Sequence, residues 1–471
     1  MNSKYKYLIK NILLFAISSF IPRMLSFVLV PIYTGVLTTE EYGIADMLSV
    51  TVLLVLPIFT LTISDAVLRF LLDEKKDHRE VISVGLQITF IGAEIVSLLT
   101  IITYFLVDSL KFEYAFFFIV MYIINAFSNV LSVILRAMDK VSLITLGGIL
   151  NSIITLSANI VFLLFFKWGL TGYLLANVLG STVALLVQFL CGRVYRYFTW
   201  KIDGKLRMEM IRFSFPMIFS ALAWWVNNAS DRYLLSWIAG VTASGLYAVA
   251  GKIPSILSVF QSILSKAWSV SAVKDFDPDD SDGFVGNLYT LFHFCVLLVA
   301  SLLIMTNLLV SKLLFANDFF AAWKFVPPLL VACVFNAFSQ FTGSIFMSVN
   351  DTKSRSIATI IGAVSNIVLN IILIPKWEGY GAAIATVVGF ILTYVYQEIK
   401  IRGHIDIKTN YVKNYLACGL IIIQMLMGYF GNDFITLQAV IMILLCCLYM
   451  NVIKVFLDRI KKIVLHRKQI S

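Results

Sequence analysis

Five basic side chains lie inside long apolar stretches of the sequence, where other charges are rare. They are Arg23, Arg69, Arg232, Lys252 and Lys266. A charged side chain within a membrane costs roughly 2.5 to 3.5 kcal/mol on insertion scales, so it usually faces a partner or a water-filled cavity. Fixed positive charges also favour anionic groups through charge-assisted hydrogen bonds. We therefore expect these five residues to line a cationic substrate-binding cavity, with Arg23 and Lys252 near the middle of the bilayer.

Acidic side chains in the same stretches have two interpretations. Glu94, Asp65 and Asp231 could bind a proton or a sodium ion, or they could simply balance the neighbouring arginines and lysines. Asp65 and Arg69 are four residues apart, so an ion pair across one helical turn would be a sufficient structural explanation for both. Glu94 is expected near the middle of its span.

Hydrogen-bonding and aromatic side chains are concentrated between positions 224 and 232. Trp224, Asn227 and Asn228 suit the hydroxyls and the apolar faces of sugar rings. The same density also suits an internal network that is satisfied within the protein. The sequence leaves both interpretations open.

A polar stripe follows Lys252 along the predicted eighth span. Lys252, Ser255, Val259, Ser262 and Lys266 recur at spacings of three and four, which places them on one helix face. They could line a cavity, or the serines could pack against other helices while the lysines are paired. Pro254 in this segment predicts a kink or a break.

Residues suited to catalysis or metal binding are scarce. Of the four histidines (His78, His293, His404 and His466), only His293 falls in an apolar stretch, and it has no second ligand at metal spacing. The acidic loop 274–283 fails the EF-hand register, and no P-loop motif occurs. The six cysteines are expected to be inert packing residues. We expect no catalytic residues, no metal, no cofactor and no enzymatic activity.

The elements that must position these residues are membrane helices. The 471 residues are 60% hydrophobic and only 14% charged, which excludes a soluble protein. Apolar runs predict fourteen transmembrane helices, at 11–37, 42–71, 81–107, 114–136, 143–166, 170–192, 213–239, 243–272, 285–311, 325–349, 356–375, 379–399, 412–431 and 434–456. No stretch alternates like a barrel strand, so the fold class is an all-α integral membrane protein.

The net charge of +10 is spread over alternate loops. Twenty-seven Lys and Arg residues fall in the segments on the amino-terminal side of the membrane, against five in the opposite loops. The positive-inside rule therefore predicts that both termini are cytoplasmic, and it explains the basic balance without nucleic-acid binding.

An internal repeat relates the two halves of the chain. KWGLTGYLLANVLG from Lys167 aligns without gaps on KWEGYGAAIATVVG from Lys376, and Gly147 and Asn151 correspond to Gly362 and Asn366 after a small gap. We therefore predict two homologous six-helix lobes, 1–200 and 201–408, followed by two extra helices and a basic tail in 409–471. Such repeats place a binding site between the copies near the midplane.

Four groups of motifs stand out along the chain: R23-M-L-S-F-x-L-V-P-I-Y-T-G-V-L-T-x-x-E-Y-G-I-x-D46, F-P216-M-I-x-S with D231-R-Y-L-L, G245-L-Y-A-V-A-G-K252-I-P, and N350-D-T-K with I-P375-K-W-E-G-Y-G-A-A. Together they resemble bacterial polysaccharide flippases of the Wzx type, in the multidrug/oligosaccharidyl-lipid/polysaccharide exporter superfamily. The resemblance covers essentially the whole chain. It implies that an undecaprenyl-pyrophosphate-linked oligosaccharide moves from the inner to the outer leaflet of the bacterial cytoplasmic membrane by alternating access, for surface polysaccharides such as O-antigen.

The resemblance also indicates substrate-binding roles and partners, and several alternative functions remain open. Arg23 and Lys252 could hold the pyrophosphate, and Arg69 and Lys266 could capture it first. Membrane lipid, an ion gradient, glycosyltransferases and a polysaccharide polymerase are expected partners. A lipid II flippase, a multidrug exporter of the same superfamily, and an integral-membrane polymerase or acyltransferase remain alternatives. Buried bases outnumber buried acids, which favours an anionic substrate over cationic drugs.

Overall fold

A computed structural model describes residues 27–73, 76–108, 110–199, 203–262, 283–349, 351–403, 405, 407–431 and 433–450. All regular structure in these ranges is helical. Long exposed apolar faces, such as Leu98, Phe105 and Leu106, suit contact with lipid rather than water. The protein is an all-α, multi-pass membrane protein.

The first compact unit comprises residues 1–236, 241–245 and 314–318. Its described helices are α1 (Phe27–Val36), α2 (Thr39–Phe59), α3 (Ile63–Leu71), α4 (His78–Leu106), α5 (Phe112–Ala137), α6 (Val141–Asn159, continued by a π-helical turn, Ile160–Phe165), α7 (Gly169–Gly192) and most of α8 (Gly204–Ala239). A 3₁₀ turn, Val194–Tyr197, follows α7. The core of this unit lies between α3, α4 and α5, around Ile63, Ile82 and Ile134.

The second compact unit comprises residues 237–240, 246–313 and 319–471. Its described helices are the second half of α9 (Val241–Ala250), α10 (Lys252–Ser262), α11 (Phe284–Met305), α12 (Asn307–Leu314), α13 (Val326–Ser348, preceded by a 3₁₀ segment, Asn317–Phe325), α14 (Thr352–Ile401), α15 (Tyr411–Gly428) and α16 (Ile435–Leu448). Helix α14 contains a non-helical residue, Glu378, and therefore holds two of the predicted spans.

Each of the fourteen predicted spans falls on helical structure over its described residues, although the spans 42–71, 243–272 and 285–311 are each divided between two helices. In the described part of the chain, nine helices pass a length and hydropathy test for crossing a membrane, or ten if the bent pair α9 and α10 counts as one span. Helix α8 packs in the first unit up to Ser236. The predicted division into 1–200, 201–408 and 409–471 stays a prediction.

The second predicted span is broken, where the sequence indicates one continuous helix. Leu61 and Thr62 have positive φ values of 53° and 47°, and they separate α2 from α3. Pro57 in the last turn of α2 cannot continue the helical hydrogen-bond ladder. The Thr62 hydroxyl donates to the carbonyl of Ser214 in α8 at 2.8 Å, so the break is tied to its neighbour.

The eighth predicted span is also bent, but not at its proline. Helices α9 and α10 meet at Gly251 with an angle of 41°. Pro254 lies in the first turn of α10, where its missing N–H has no intrahelical acceptor to lose. The kink therefore precedes Pro254 instead of following from it.

Two helical hairpins reproduce the internal repeat in their packing. One consists of α6 and α7, and the other consists of the two parts of α14 on either side of Glu378. A Cβ at Gly180 of α7 would lie 2.6 Å from Asn151 Oδ1 of α6, and a Cβ at Gly389 would lie 3.1 Å from Asn366 Cβ. Gly180 and Gly389 are equivalent in the sequence alignment, as are Asn151 and Asn366. The small residues allow equivalent close helix contacts in the two copies.

The turns of these hairpins differ at one equivalent position. Gly169 has φ +54°, while its counterpart Glu378 has φ 47° and ψ −127°. Glycine adopts such angles readily, whereas a side chain there is strained by about 1 to 3 kcal/mol. Glu378 therefore occupies a position for which the other copy uses glycine.

Replacing Glu378 with glycine should stabilise the protein. We expect a gain of about 1 kcal/mol, because the relief of strain exceeds the extra chain entropy of glycine. The gain in stability is measured by thermal unfolding of the purified variant and wild-type proteins in detergent. Glu378→Ala is the matched control, since it removes the charge but keeps the Cβ. Equal unfolding midpoints for the two variants would contradict the assignment of strain.

The cytoplasmic side predicted from the loops carries an ion pair between α8 and the loop before α4. Lys76 Nζ lies 2.7 Å from Glu209 Oε2. The hydrogen bond to Glu209 raises the pKa of the Lys76 ammonium. Arg207 of α8 also donates to Gln87 Oε1 of α4 at 2.9 Å, so the start of α8 is held against α4.

Candidate functional site

The charged centre of the first unit is an ion pair between α2 and α8. Arg232 Nη1 lies 2.8 Å from Asp46 Oδ1, and the side chains are 31% and 12% exposed. Such an enclosed pair is stable because each charge neutralises the other. Since the Arg232 side chain is 31% exposed, it can still contact a ligand.

Aromatic contacts hold α8 against α2 around this pair. Trp225 Nε1 donates to the carbonyl of Val50 at 3.0 Å, and the hydroxyls of Tyr233 and Thr51 are hydrogen-bonded. The rings of Trp225 and Tyr233 meet edge to face with centroids 5.3 Å apart. These contacts fix the position of α8 along α2, and so the position of Arg232 relative to Asp46.

Three tyrosines form a cluster near Asp46. Tyr33 and Tyr42 stack with centroids 4.8 Å apart, and Tyr173 of α7 meets both rings edge-on. Tyr42 interacts electrostatically with Asp46 and Arg232, and Tyr33 with Asp46. The ion pair therefore lies beside a cluster of phenol groups contributed by α1, α2 and α7.

The predicted sugar contacts share one face of α8. Trp224 is 60% exposed, Asn228 is exposed and Asn227 is half-buried. Each asparagine donates one amide hydrogen to its own helix, to Ala223 O at 2.9 Å and Trp224 O at 2.7 Å. The second hydrogen and the carbonyl oxygen of each amide stay available, so this face can bind hydroxyl groups.

The interpretation of Asp65 and Arg69 as an ion pair, one of the two that the sequence left open, is not the arrangement in the structure. Both side chains are exposed on α3, and no ion pair within 4.0 Å joins them. Helix α3 is only nine residues long, with Asp65 in its first turn and Arg69 in its last. Each charge therefore complements its own end of the helix dipole without contacting the other.

Glu94 and Asp231 lie in different surroundings. Glu94 is exposed on α4 between Ile91 and Leu98, which are also exposed. Asp231 is 7% exposed in α8, beside Arg232 in sequence. The structure therefore does not gather Glu94, Asp65 and Asp231 into one ion site.

Lys252 begins α10 in the second unit. It is half-buried, and no acidic side chain of the described chain lies within ion-pair distance. Ser255 and Ser262 share its helix face, but their hydroxyls donate back to Lys252 O and Val259 O at 2.6 and 2.8 Å. The buried side of α10 is formed by Ile253, Leu257 and Gln261 instead. Arg23 and Lys266 lie outside the described residues.

Sequence reasoning assigned no site role to Asp46, Tyr42 or Tyr173. Asp46 and Tyr42 stand in the motif E-Y-G-I-x-D46, and Arg232 in D231-R-Y-L-L, so the resemblance contained a signal for this pairing. Across the described ranges, no group of three or more His, Cys, Asp or Glu side chains could hold a metal ion.

A family model described as polysaccharide biosynthesis protein matches residues 8–271, which is more than half of the chain. The chain belongs to the polysaccharide biosynthesis protein family. No curated protein matches the sequence.

Solved structures share the fold of this polysaccharide biosynthesis protein. The lipid II flippase MurJ, in an inward closed conformation, is 16% identical, with a TM-score of 0.71 over 95% of this chain and 99% of that chain. An inward-facing multidrug resistance transporter of the MATE family is 16% identical, with a TM-score of 0.62 over 82% and 98%. A transporter from Pyrococcus furiosus, described as having a binding pocket of reverse polarity, is 16% identical, with a TM-score of 0.56 over 84% and 96%.

These structures place the protein in the fold of the MOP superfamily, to which the second and third transporters are assigned. The resemblance to a Wzx-type flippase is confirmed at the level of family and fold. The protein thus shares the fold of these membrane transporters.

Proposed function

We propose that the protein flips an undecaprenyl-pyrophosphate-linked oligosaccharide repeat unit from the inner to the outer leaflet of the bacterial cytoplasmic membrane. The observation that carries the proposal is the match to the polysaccharide biosynthesis family in a chain built of membrane spans. A pathway that assembles polysaccharide on a lipid carrier needs a protein that moves the carrier across the membrane. Alternating access performs the movement.

The substrate has an anionic end and a hydroxyl-rich end, and the described residues suit both. Lys252 and Arg69 provide positive charge without an ion-pair partner in the described chain, and Arg232 provides a further cation on a partly exposed side chain. The exposed face of α8 carries Trp224 and Asn228 for the sugars. Pyrophosphate oxygens accept charge-assisted hydrogen bonds from these cations. Arg23 and Lys266 complete the proposed cationic set.

Ion coupling and topology complete the proposal. We assign Glu94, Asp231 and Asp65 as candidate proton or sodium groups, and both termini to the cytoplasm on the distribution of Lys and Arg. Glycosyltransferases that build the repeat unit and a polymerase that consumes it are the expected partners. The protein itself carries out no covalent chemistry in this scheme.

A lipid II flippase is the second candidate, and one observation favours it. The MurJ structure covers 95% of this chain, whereas the MATE structures cover 82 to 84%. The structural likeness therefore extends over more of this chain for the lipid II flippase than for the multidrug transporters. Both leading candidates share a pyrophosphate-linked glycan, and they differ in the glycan itself.

Depleting the protein in its native host tests the proposal. We expect complete undecaprenyl-linked repeat units to accumulate on the inner leaflet, inaccessible to an outside probe, while surface polysaccharide is lost. Restoration by the plasmid-borne wild-type gene is the control. Accumulation of lipid II would favour the second candidate, and truncated units would indicate an enzyme. Unchanged lipid-linked pools with altered drug sensitivity would indicate a multidrug exporter.

A further inference from the structure

A buried chain of polar side chains crosses the second unit between α11 and α14. His293 Nε2 lies 3.2 Å from Tyr394 Oη, Tyr394 Oη lies 2.8 Å from Tyr289 Oη, and Tyr289 Oη lies 3.3 Å from Glu398 Oε1. His293 is 0% exposed and Glu398 is 3% exposed. A carboxyl group and an imidazole are thus joined, deep in the protein, by two phenol groups.

The hydrogen-bond directions follow from the backbone. His293 Nδ1 lies 2.9 Å from the carbonyl of Tyr289, which can only accept, so Nδ1 carries a hydrogen. In the neutral ring Nε2 is then an acceptor, and Tyr394 donates to it. Phe338 stacks on the imidazole with centroids 3.8 Å apart and planes at 19°, which fixes the ring.

The chain reaches the surface through α15. Tyr415, which is 44% exposed, interacts electrostatically with Glu398 and accepts a hydrogen bond from Arg402 Nη2 at 2.6 Å. Arg402 is exposed at the end of α14, so an ordered path leads from solvent to the carboxyl group of Glu398.

The other groups around the chain come from three elements. From α15, Tyr411 and Cys418 lie close enough to interact electrostatically with Tyr289. From α13, the uncharged aromatic rings of Phe338 and Phe341 pack against His293 and Tyr289. From α16, Tyr449 donates to Asn414 of α15 at 2.8 Å and takes no part in the chain. Arg402 is the cation that acts on Glu398.

We propose that His293, Tyr394, Tyr289 and Glu398 form a proton-binding site that couples transport to a proton gradient. The coupling rests on the proposed transport function, while proton binding does not. A proton entering beside Arg402 binds a carboxylate oxygen of Glu398. The proton stays on Glu398, which then donates a hydrogen bond to Tyr289, while Tyr289 donates to Tyr394 and Tyr394 donates to Nε2 of the neutral His293 ring. Every hydroxyl hydrogen of the chain then has an acceptor, and release of the proton restores the carboxylate of Glu398.

Such a site is suited to coupling because it is buried. A charge left on Glu398 or His293 in a protein interior is costly unless the surrounding helices adjust their hydrogen bonds. Protonation therefore changes the relative stability of two arrangements of α11, α14 and α15, which is what a coupled transporter requires. The site lies within the second unit and differs from the predicted set of Glu94, Asp231 and Asp65.

Infrared difference spectra of the full-length protein in lipid, recorded between acidic and alkaline pH, test proton binding without any substrate. We expect a titrating carboxyl band that is lost in Glu398→Gln and shifted in Tyr289→Phe. Glu40→Gln is the matched control, because Glu40 is exposed at the start of α2 and lies in the other unit. Identical spectra for wild type and Glu398→Gln would overturn the proton site.

Transport into proteoliposomes, with and without an imposed pH gradient, tests coupling. We expect the gradient to accelerate transport by the wild type but to have no effect in Glu398→Gln or Tyr394→Phe. A gradient effect that persists in both variants would overturn the coupling. If the wild type transports nothing, the proposed function fails, while the infrared result still decides the proton site.

Discussion

Transport should fall about 10- to 100-fold when Lys252 is replaced with alanine, the range expected for loss of a hydrogen bond to a charged group. The ammonium group is half-buried at the start of α10 and has no acidic partner in the described chain. A charge in a membrane span needs compensation by water or an anionic ligand. Loss of Lys252 should therefore weaken substrate binding and leave the fold intact.

Complementation of the depleted strain measures the effect as surface polysaccharide per unit of protein in the membrane. Lys252→Arg should keep much of the activity, because the charge remains. Lys312→Ala is the matched control, since it removes an exposed lysine at the end of α12. Full activity of Lys252→Ala at normal abundance would remove Lys252 from the substrate site.

Replacing Arg232 with alanine should destabilise the protein as well as inactivate it. Asp46 is only 12% exposed, and losing this ion-pair partner leaves its carboxylate inadequately neutralised. Removing one member of such a pair costs about 3 kcal/mol. We therefore expect less protein in the membrane and a lower unfolding temperature for Arg232→Ala, together with loss of transport.

A double-mutant cycle separates the structural role of Arg232 from a role in substrate binding. Asp46→Asn combined with Arg232→Gln removes both charges and should recover much of the lost stability. If Arg232 binds substrate, transport stays lost in this double variant although the protein is stable. Recovery of both stability and transport would show that the ion pair is structural only. Thermal unfolding and complementation, measured on the same four proteins, give the answer.

The sequence by itself determined the membrane class and the positions of the spans. A bilayer requires about twenty consecutive apolar residues, and this signal is local, so it can be read without knowledge of any contact. The repeat was equally visible, because Gly180 and Gly389 keep their places for the same helix contact. The family motifs are short runs of neighbouring residues, so they too could be recognised in the sequence, and the family match agrees with them.

The pairing of charges was decided by the tertiary structure alone. Asp46 and Arg232 are 186 residues apart, and Tyr289 and Glu398 are 109 apart, so no helical periodicity relates them. Asp65 and Arg69 are only four apart, yet they do not pair. The break at Leu61 and Thr62 is likewise tied to a neighbouring helix, through the hydrogen bond from Thr62 to Ser214 of α8. Spacing along one helix gives the face of each residue, and only the packing of helices decides which faces meet.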